Sequence, residues 1–319
     1  MRRPFFQAPQ QPPRAVPQTP REPLRRPEPS PDEYRLKLLS AVNSIPPLPS
    51  TLNQLIGMLN NEMASAGQIA SVIERDSVLS GSVLKCVNSA YYGLPNRVSS
   101  IRHAVTLLGF KTVRNLALAF SMRRMLTQSQ PARALYGSYS RHALGCAFFT
   151  QFLASYTRSH DPEAAFAAGL FHDVGKLLIF TTAPMAVLQI IERWEAGEES
   201  WEDLEREFLH VTHSELSAIV LEAWKLPVAI QNAARYHHDP DACPPDPEQD
   251  PEKPALSLAW LVHAADAAVR SEGMEAVSSE HRPPEGPEEA FRHLGLESAA
   301  SVLLEQFREE FHGLQGVFQ

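Results

Sequence analysis

The sequence predicts an all-α protein built as two consecutive helical bundles, and three observations predict it. Apolar residues recur at three- and four-residue spacing in segment after segment from Asp32 onward. The segments are separated by Pro, Gly and small capping residues, the signals that start and stop helices. The N-terminal half contains no run of alternating apolar and polar residues of the kind a half-buried strand shows.

Met1–Pro31 is dense in Pro, Arg and Gln with few large aliphatics, so it buries too little surface to offset ordering and reads as a disordered tail. Residues 32–130 form the first bundle. Its first helix covers Tyr34–Ser44, and Pro46 and Pro47 break it because proline cannot continue a helix. Ser50 or Thr51 starts a second helix through Leu59. Ala66–Arg75 and Leu79–Ser89 follow. The run from Tyr91 through Gly93 to Pro95 is a turn. Ser99 or Ser100 caps a helix through Leu107 that Gly109 ends, and Lys111–Leu126 completes the bundle. Asp76, Asn88 and Arg102 read as polar staples between these helices, since small polar residues at helix ends satisfy backbone groups.

Pro131 marks the boundary to a second bundle, residues 131–319. Leu135–Tyr156 is a long helix carrying His142, with an apolar face of Leu144, Phe148, Phe149 and Phe152. A central apolar helix spans Pro162–Thr181. Pro184–Glu195 and Trp201–Phe208 follow. Thr212 and Glu215 form a capping box that opens a helix through Trp224 and places His213 in its first turn. Pro227 opens the next helix, which ends at His237 and His238. Residues 239–254 read as a flexible acidic loop and 273–287 as mobile. Between them Ala255–Arg270 is an apolar helix containing His263 and Asp266. Ser298–His312 closes the fold.

Composition bounds the function. A net charge of −8 and a pI near 5.9 argue against broad nucleic-acid binding, which shows a basic stripe. Cys86, Cys146 and Cys243 are too few and too scattered for a disulfide framework or an all-thiolate zinc site, and a reducing cytoplasm fits them best. No apolar run reaches the length expected of a membrane span, and the N-terminus lacks the apolar core of a secretory signal.

The chemistry concentrates in AAFAAGLFHDVGKL, residues 165–178. His172 and Asp173 stand side by side in an apolar helix, where even a neutral polar group without a partner costs roughly 2–7 kcal/mol. A metal, a shared proton or an ion pair with Lys176 would each meet that need. Lys176 lies four residues after His172, a spacing that shares a helix face, and Gly175 lets a backbone or a phosphate approach closely. The polar residues that interrupt the other helices of this half are of one kind: His142, His213, His237, His238 and Asp266. Imidazoles and carboxylates suit Fe, Mn or Zn in a mono- or binuclear site. Each also has a plainer reading, as a satisfied core histidine or a helix-end charge, and His263 is the cheap partner for Asp266.

The runs IPPLPSTLNQLIGML, VIERDSVLSGSVLKCVNSAYYGLPNRVSSIRHAVTLLGFKTVRNLALAFS and FAAGLFHDVGKLLI together resemble an HDOD domain, over about Tyr34–Arg270. The most specific part is LKCVNSAYYGLPNRVSSIRHAVTLLG. The resemblance implies an N-terminal helical bundle packed on an HD-like helical bundle, in a bacterial family generally regarded as regulatory and related to the HD and HD-GYP phosphohydrolases. By order and context it implies His142, His172, Asp173 and Asp266 as the HD ligand set. His213, His237 and His238 resemble the additional ligands of binuclear HD-GYP enzymes, and Lys176 matches the lysine of their motif. Two departures stand against cyclic-dinucleotide hydrolysis: DPDACPP follows His238 without a Gly-Tyr-Pro signature, and Ser138 stands where those enzymes place a glutamate. The expectation is a signalling module that binds a protein partner. The rival is a metal-dependent phosphohydrolase of a nucleotide, cyclic dinucleotide or other phosphoester, with Asp173 and Lys176 in catalytic roles.

Overall fold

The computed structural model describes residues 29–43, 50–58, 64–89, 92–128, 133–197, 199–245, 256–277 and 286–318. Among them there are helices and turns and no strand, as the sequence predicts. The expected tail up to residue 28, the Pro46–Pro47 break and most of the two loops expected at 239–254 and 273–287 lie outside the described residues.

The N-terminal bundle consists of α2 (Ser50–Gly57), α3 (Ala66–Glu74), α4 (Ser77–Val87), α5 (Ile101–Leu108) and α6 (Phe110–Gln128). Local chemistry sets its corners. Asp76 caps α4 by accepting from the backbone N–H groups of Val78 and Leu79 at 3.1 and 3.0 Å, and its other oxygen takes Arg124 of α6 at 2.7 Å. Asn88 clamps the turn before α5: its side chain donates to the Val98 carbonyl at 2.8 Å and accepts from the Val98 N–H at 2.7 Å. Both residues are staples. Arg102 makes only an exposed pairing with Glu74, at 3.5 Å. Ser100 caps α5, and Gly109 ends it with φ +82°, where a side chain would be strained.

The first helix, α1 (Pro31–Asn43), is not seated where chain order suggests. It packs mainly against α9 (Val174–Thr182), α11 (Trp201–Leu209) and α12 (His213–Ala223) of the second half. His210, at the end of α11, fixes its start through Asp32 at 2.8 Å. Chain order is a weak guide here, because Leu38 is buried wherever a matching apolar face exists.

The second half is built on α7 (Arg133–Thr157), which lies along α8 (Pro162–Phe171) and α14 (Leu258–Ser271). Around them stand α10 (Pro184–Ala196), α13 (Val228–Tyr236), α15 (Glu288–His293) and α16 (Ala300–Phe318). Phe149 of α7 packs on Phe307 of α16 with ring centroids 4.6 Å apart, so the apolar face read from the sequence meets the C-terminal helix.

The central helix is corrected by the structure. Pro162–Thr182 is long and apolar enough for a membrane span by length and composition, contrary to the sequence expectation, but most of it is buried in the protein core. It is also two helices, α8 and α9, broken at His172 and Asp173, where Asp173 leaves helical geometry at φ −102° and ψ 11°. Two glycines let its neighbours close in. A Cβ on Gly169 would lie 2.4 Å from the Cys146 carbonyl oxygen of α7, and one on Gly175 would lie 2.2 Å from the His213 carbonyl oxygen of α12. Gly175 thus admits a backbone.

A candidate metal centre at the helix break

The break turns His172 and Asp173 into the middle of the second bundle, where both are fully buried. The other five candidates arrive from four directions. His142 comes from α7, Asp266 from α14, His213 from the first turn of α12, and His237 and His238 from the end of α13. All seven converge. Ligand atoms of His142, His172 and Asp266 lie within 4.8 Å of one another, as do those of His213, His237 and His238, and those of His172, Asp173 and His237.

Four of the imidazoles are held the same way. Nδ1 of His142 donates to the Met274 carbonyl at 2.8 Å, that of His172 to Gly169 at 2.8 Å, and that of His237 to Ala234 at 2.7 Å. Nδ1 of His213 donates to the Glu205 carboxylate at 2.7 Å. With Nδ1 committed to an acceptor, Nε2 of each ring is turned to the common centre. This is the arrangement that orients a metal-binding histidine and fixes its tautomer.

Asp173 sits between two groups. Its Oδ2 faces His142 and His172, each 3.5 Å away, and takes Lys176 at 2.6 Å. Its Oδ1 faces His213 at 3.3 Å and His237 at 3.6 Å. Lys176 thus pairs with Asp173, three residues back. Asp266 lies 3.3 Å from His142 Nε2 and takes Arg270 at 3.1 Å. His263 is not its partner, since that ring donates to the His237 carbonyl at 2.7 Å. Nε2 of His213 and of His238 are 3.0 Å apart.

Three polar atoms at the centre are left without a partner. His172 Nε2, His237 Nε2 and Asp173 Oδ1 are buried with no hydrogen-bond partner. Burial alone would raise the Asp173 and Asp266 carboxyls, but Lys176 and His172 hold the first, and Arg270 and His142 the second, well below the usual carboxylate range. Burial opposes a charge on His142, yet Cys146, Asp173 and Asp266 outweigh it and raise its pKa well above normal. Burial drops His172 to about 3, against the pull of Asp173 and helped by His237 and His142. It drops His238 well below normal too, with His237 and His213 adding. Two ionised carboxylates beside His172 and His238, which burial keeps neutral, and a His142 that would give up its proton on binding make a donor set that fits a divalent transition metal. Asp173 turns one oxygen toward each group.

Two members escape a search for interrupted apolar helices. Cys146, one turn after His142 on α7, is fully buried with Sγ 3.6 Å from His142 Nε2. Glu205 of α11 is buried and accepts from the backbone N–H and Nδ1 of His213 and from Trp201 Nε1, each at 2.7 Å. A thiol passes for an apolar residue, and Glu205 hides among the acidic residues of an amphipathic helix. Ser138 donates to the Ala276 carbonyl at 2.8 Å. Met274 and Ala276, in the segment expected to be mobile, thus wall the site.

The centre opens on a cavity of about 80 Å³ lined by His142, Lys176, His213, His238, Asp266 and Arg270, with Trp194 and Trp201 at its wall. A larger cavity of about 370 Å³ lies among α2, α3, α4 and α6, lined by Arg75, Asp76 and Arg124, and shares no residue with it.

Comparison with known proteins agrees with this architecture. The profile of the HDOD domain matches residues 45–240. The chain belongs to the HDOD family. The HDOD match takes in every member of the cluster except Asp266, which α14 adds from beyond it. An uncharacterized protein of Treponema pallidum (strain Nichols) is 27% identical over 217 residues, 68% of this chain and 41% of that protein. The chain thus spans about two fifths of that relative's length. An HDOD domain protein of unknown function from Geobacter sulfurreducens superposes with a TM-score of 0.67 at 22% identity, over 88% of this chain and 99% of that one. A candidate phosphohydrolase from Shewanella amazonensis SB2B gives 0.65 at 22% identity, over 88% and 96%. At these identities the two structures are likenesses of fold.

Proposed function

We propose that this HDOD chain is a signal-transduction module that works by binding a protein partner, with a buried metal centre that holds α7, α8, α12, α13 and α14 in register. The observation that carries this reading is the size of the opening beside the ligands. That opening is about 80 Å³. Sites for small molecules run roughly 300–1,000 Å³, so this opening is small for a nucleotide, which supports a role other than nucleotide turnover. The metal's residues would be His142, His172, Asp173 and Asp266 for one ion, with His213, His237 and His238 beside Asp173 Oδ1 for a second. Fe, Mn and Zn all suit such donors.

One observation favours phosphoester hydrolysis as the second reading. Lys176 keeps 14% of its side chain exposed and lines the cavity, one ion pair away from Asp173. There it would neutralise charge on a phosphate oxygen, and a bound metal would supply an activated water. Elemental analysis of the purified protein, with a turnover screen on cyclic dinucleotides and nucleoside phosphates, separates the two. Near-stoichiometric metal without turnover is the expected result. Turnover that disappears in Asp173→Ala would replace the signalling module with the enzyme.

A further inference from the structure

We propose that residues 274–277, the strap that follows α14, are a gate over the metal centre: metal enters and leaves when the strap lifts off α7. The proposal deepens the reading of the cluster as a metal site and rests on it.

A buried centre needs an entry path. His142, His172, Asp173 and Asp266 have almost no contact with solvent, so an ion must pass a wall to reach them. The wall of the adjoining cavity draws on α7, α9, α10, α11, α12 and α14, on His238 just past α13, and on Glu275, Ala276 and Val277. Among the described residues of that wall, these last three are the one run that belongs to no helix. A helix in the wall moves only by breaking packing along its length. A short irregular run moves at the cost of a few local contacts.

The strap is tied to α7 by side chains. The Met274 carbonyl accepts from His142 Nδ1 and the Ala276 carbonyl from Ser138 Oγ, each at 2.8 Å. Ser138 and His142 are one helical turn apart, so the strap lies along a single face of α7. Gly273, at φ +72°, turns the chain out of α14 just before it. The source of the His142 acceptor sets this ring apart. His172 and His237 find theirs three residues back in the chain, and His213 finds its own on α11. His142 takes its orientation from the strap. Closure therefore covers the ion and aims His142 Nε2 at it in one movement.

The Ser138 tie makes the gate testable, because it bonds to the strap and not to a ligand. Its loss raises the share of open molecules by the same factor with metal bound or absent. Entry and exit then quicken together and affinity stays put. Zinc is the probe. Release from the loaded full chain into excess chromophoric chelator, and uptake by chelator-treated protein, are timed by stopped flow. The dissociation constant is measured separately by competition at equilibrium. In Ser138→Ala both rates should rise about fivefold, the factor one neutral hydrogen bond is worth, with the dissociation constant unchanged. Ser138→Thr keeps the hydroxyl and should match the wild type. Faster release with a matching loss of affinity would make Ser138 a support of the ligands and overturn the gate. Unchanged rates in Ser138→Ala, or equal acceleration in Ser138→Thr, would overturn it too. Each of these outcomes leaves metal binding standing, whereas failure to take up zinc at all overturns the metal centre and the gate with it.

Discussion

Gly175→Ala tests whether the helix break and the ligands are mechanically one unit. The added Cβ would lie 2.2 Å from the His213 carbonyl oxygen and 2.8 Å from the Ser217 amide nitrogen, both backbone atoms that cannot swing aside. Favourable contact begins near ~3.5 Å, so α12 must retreat by roughly 1 Å. Overpacking of this kind costs about 1–3 kcal/mol, and a rigid obstacle on both sides puts it at the top of that range. The retreat also stretches the bond from the Gly175 N–H to Ser217 Oγ, now 2.9 Å, worth about 1 kcal/mol. The sum is about 4 kcal/mol. With a urea slope near ~3 kcal/mol per molar, the unfolding midpoint should fall by roughly 1 M or more. Because the obstructing carbonyl belongs to His213, metal content should fall in the same variant. Gly137→Ala is the control: it lies exposed on α7 with nothing within 4 Å of the new Cβ. It should leave metal content alone and raise stability by about 0.4–1 kcal/mol. If both variants shift the midpoint alike, α9 and α12 are not closed against Gly175 and the argument fails.

Glu205→Ala strands three donors, the buried backbone and ring N–H groups of His213 and the half-buried Nε1 of Trp201. At about 1–3 kcal/mol for each unsatisfied group, thermal unfolding should show a loss of at least ~3 kcal/mol, and metal affinity should drop with the freed imidazole. Asn88→Ala removes the clamp on Val98 and should cost about 1–2 kcal/mol in urea melts without touching metal content. In chelator-treated protein, His172 has a folded pKa of about 3 against ~6.5 unfolded. A depressed value means the unfolded chain takes up the proton first, so this stability is full above pH ~6.5 and is lost as pH falls toward 3. His238 acts in the same direction. Melts should therefore show several kcal/mol lost across that window, with a shallower slope in His172→Gln; an unchanged slope would mean the ring is not buried in its neutral form.

Much of the fold was legible because its signals are short-ranged. Ser100 and the Thr212–Glu215 pair cap helices within three residues of themselves, as read, and Asp76, read as a staple, caps α4 as well. The seven converging side chains were legible for a different reason: an imidazole or carboxylate in an apolar helix is costly enough to need a specific partner. The same logic misses Cys146, whose burial costs nothing, and Glu205, whose neighbours are acidic. It also carried one helix through residues 172 and 173, since apolar content says nothing of where a helix bends.

The sequence by itself determined the helical class, the caps and the chemical kind of side chain that must be sheltered, because each follows from residues a turn or two apart. Only the tertiary structure decided which imidazole nitrogen faces inward, how Asp173 divides its oxygens between two groups, and that α1 crosses to the second half. Those outcomes depend on partners such as Met274 for His142 and Glu205 for His213, which the chain brings near only when its helices pack. A backbone carbonyl or a distant carboxylate exerts its directional force at contact distance, and contact between remote segments is a property of the fold.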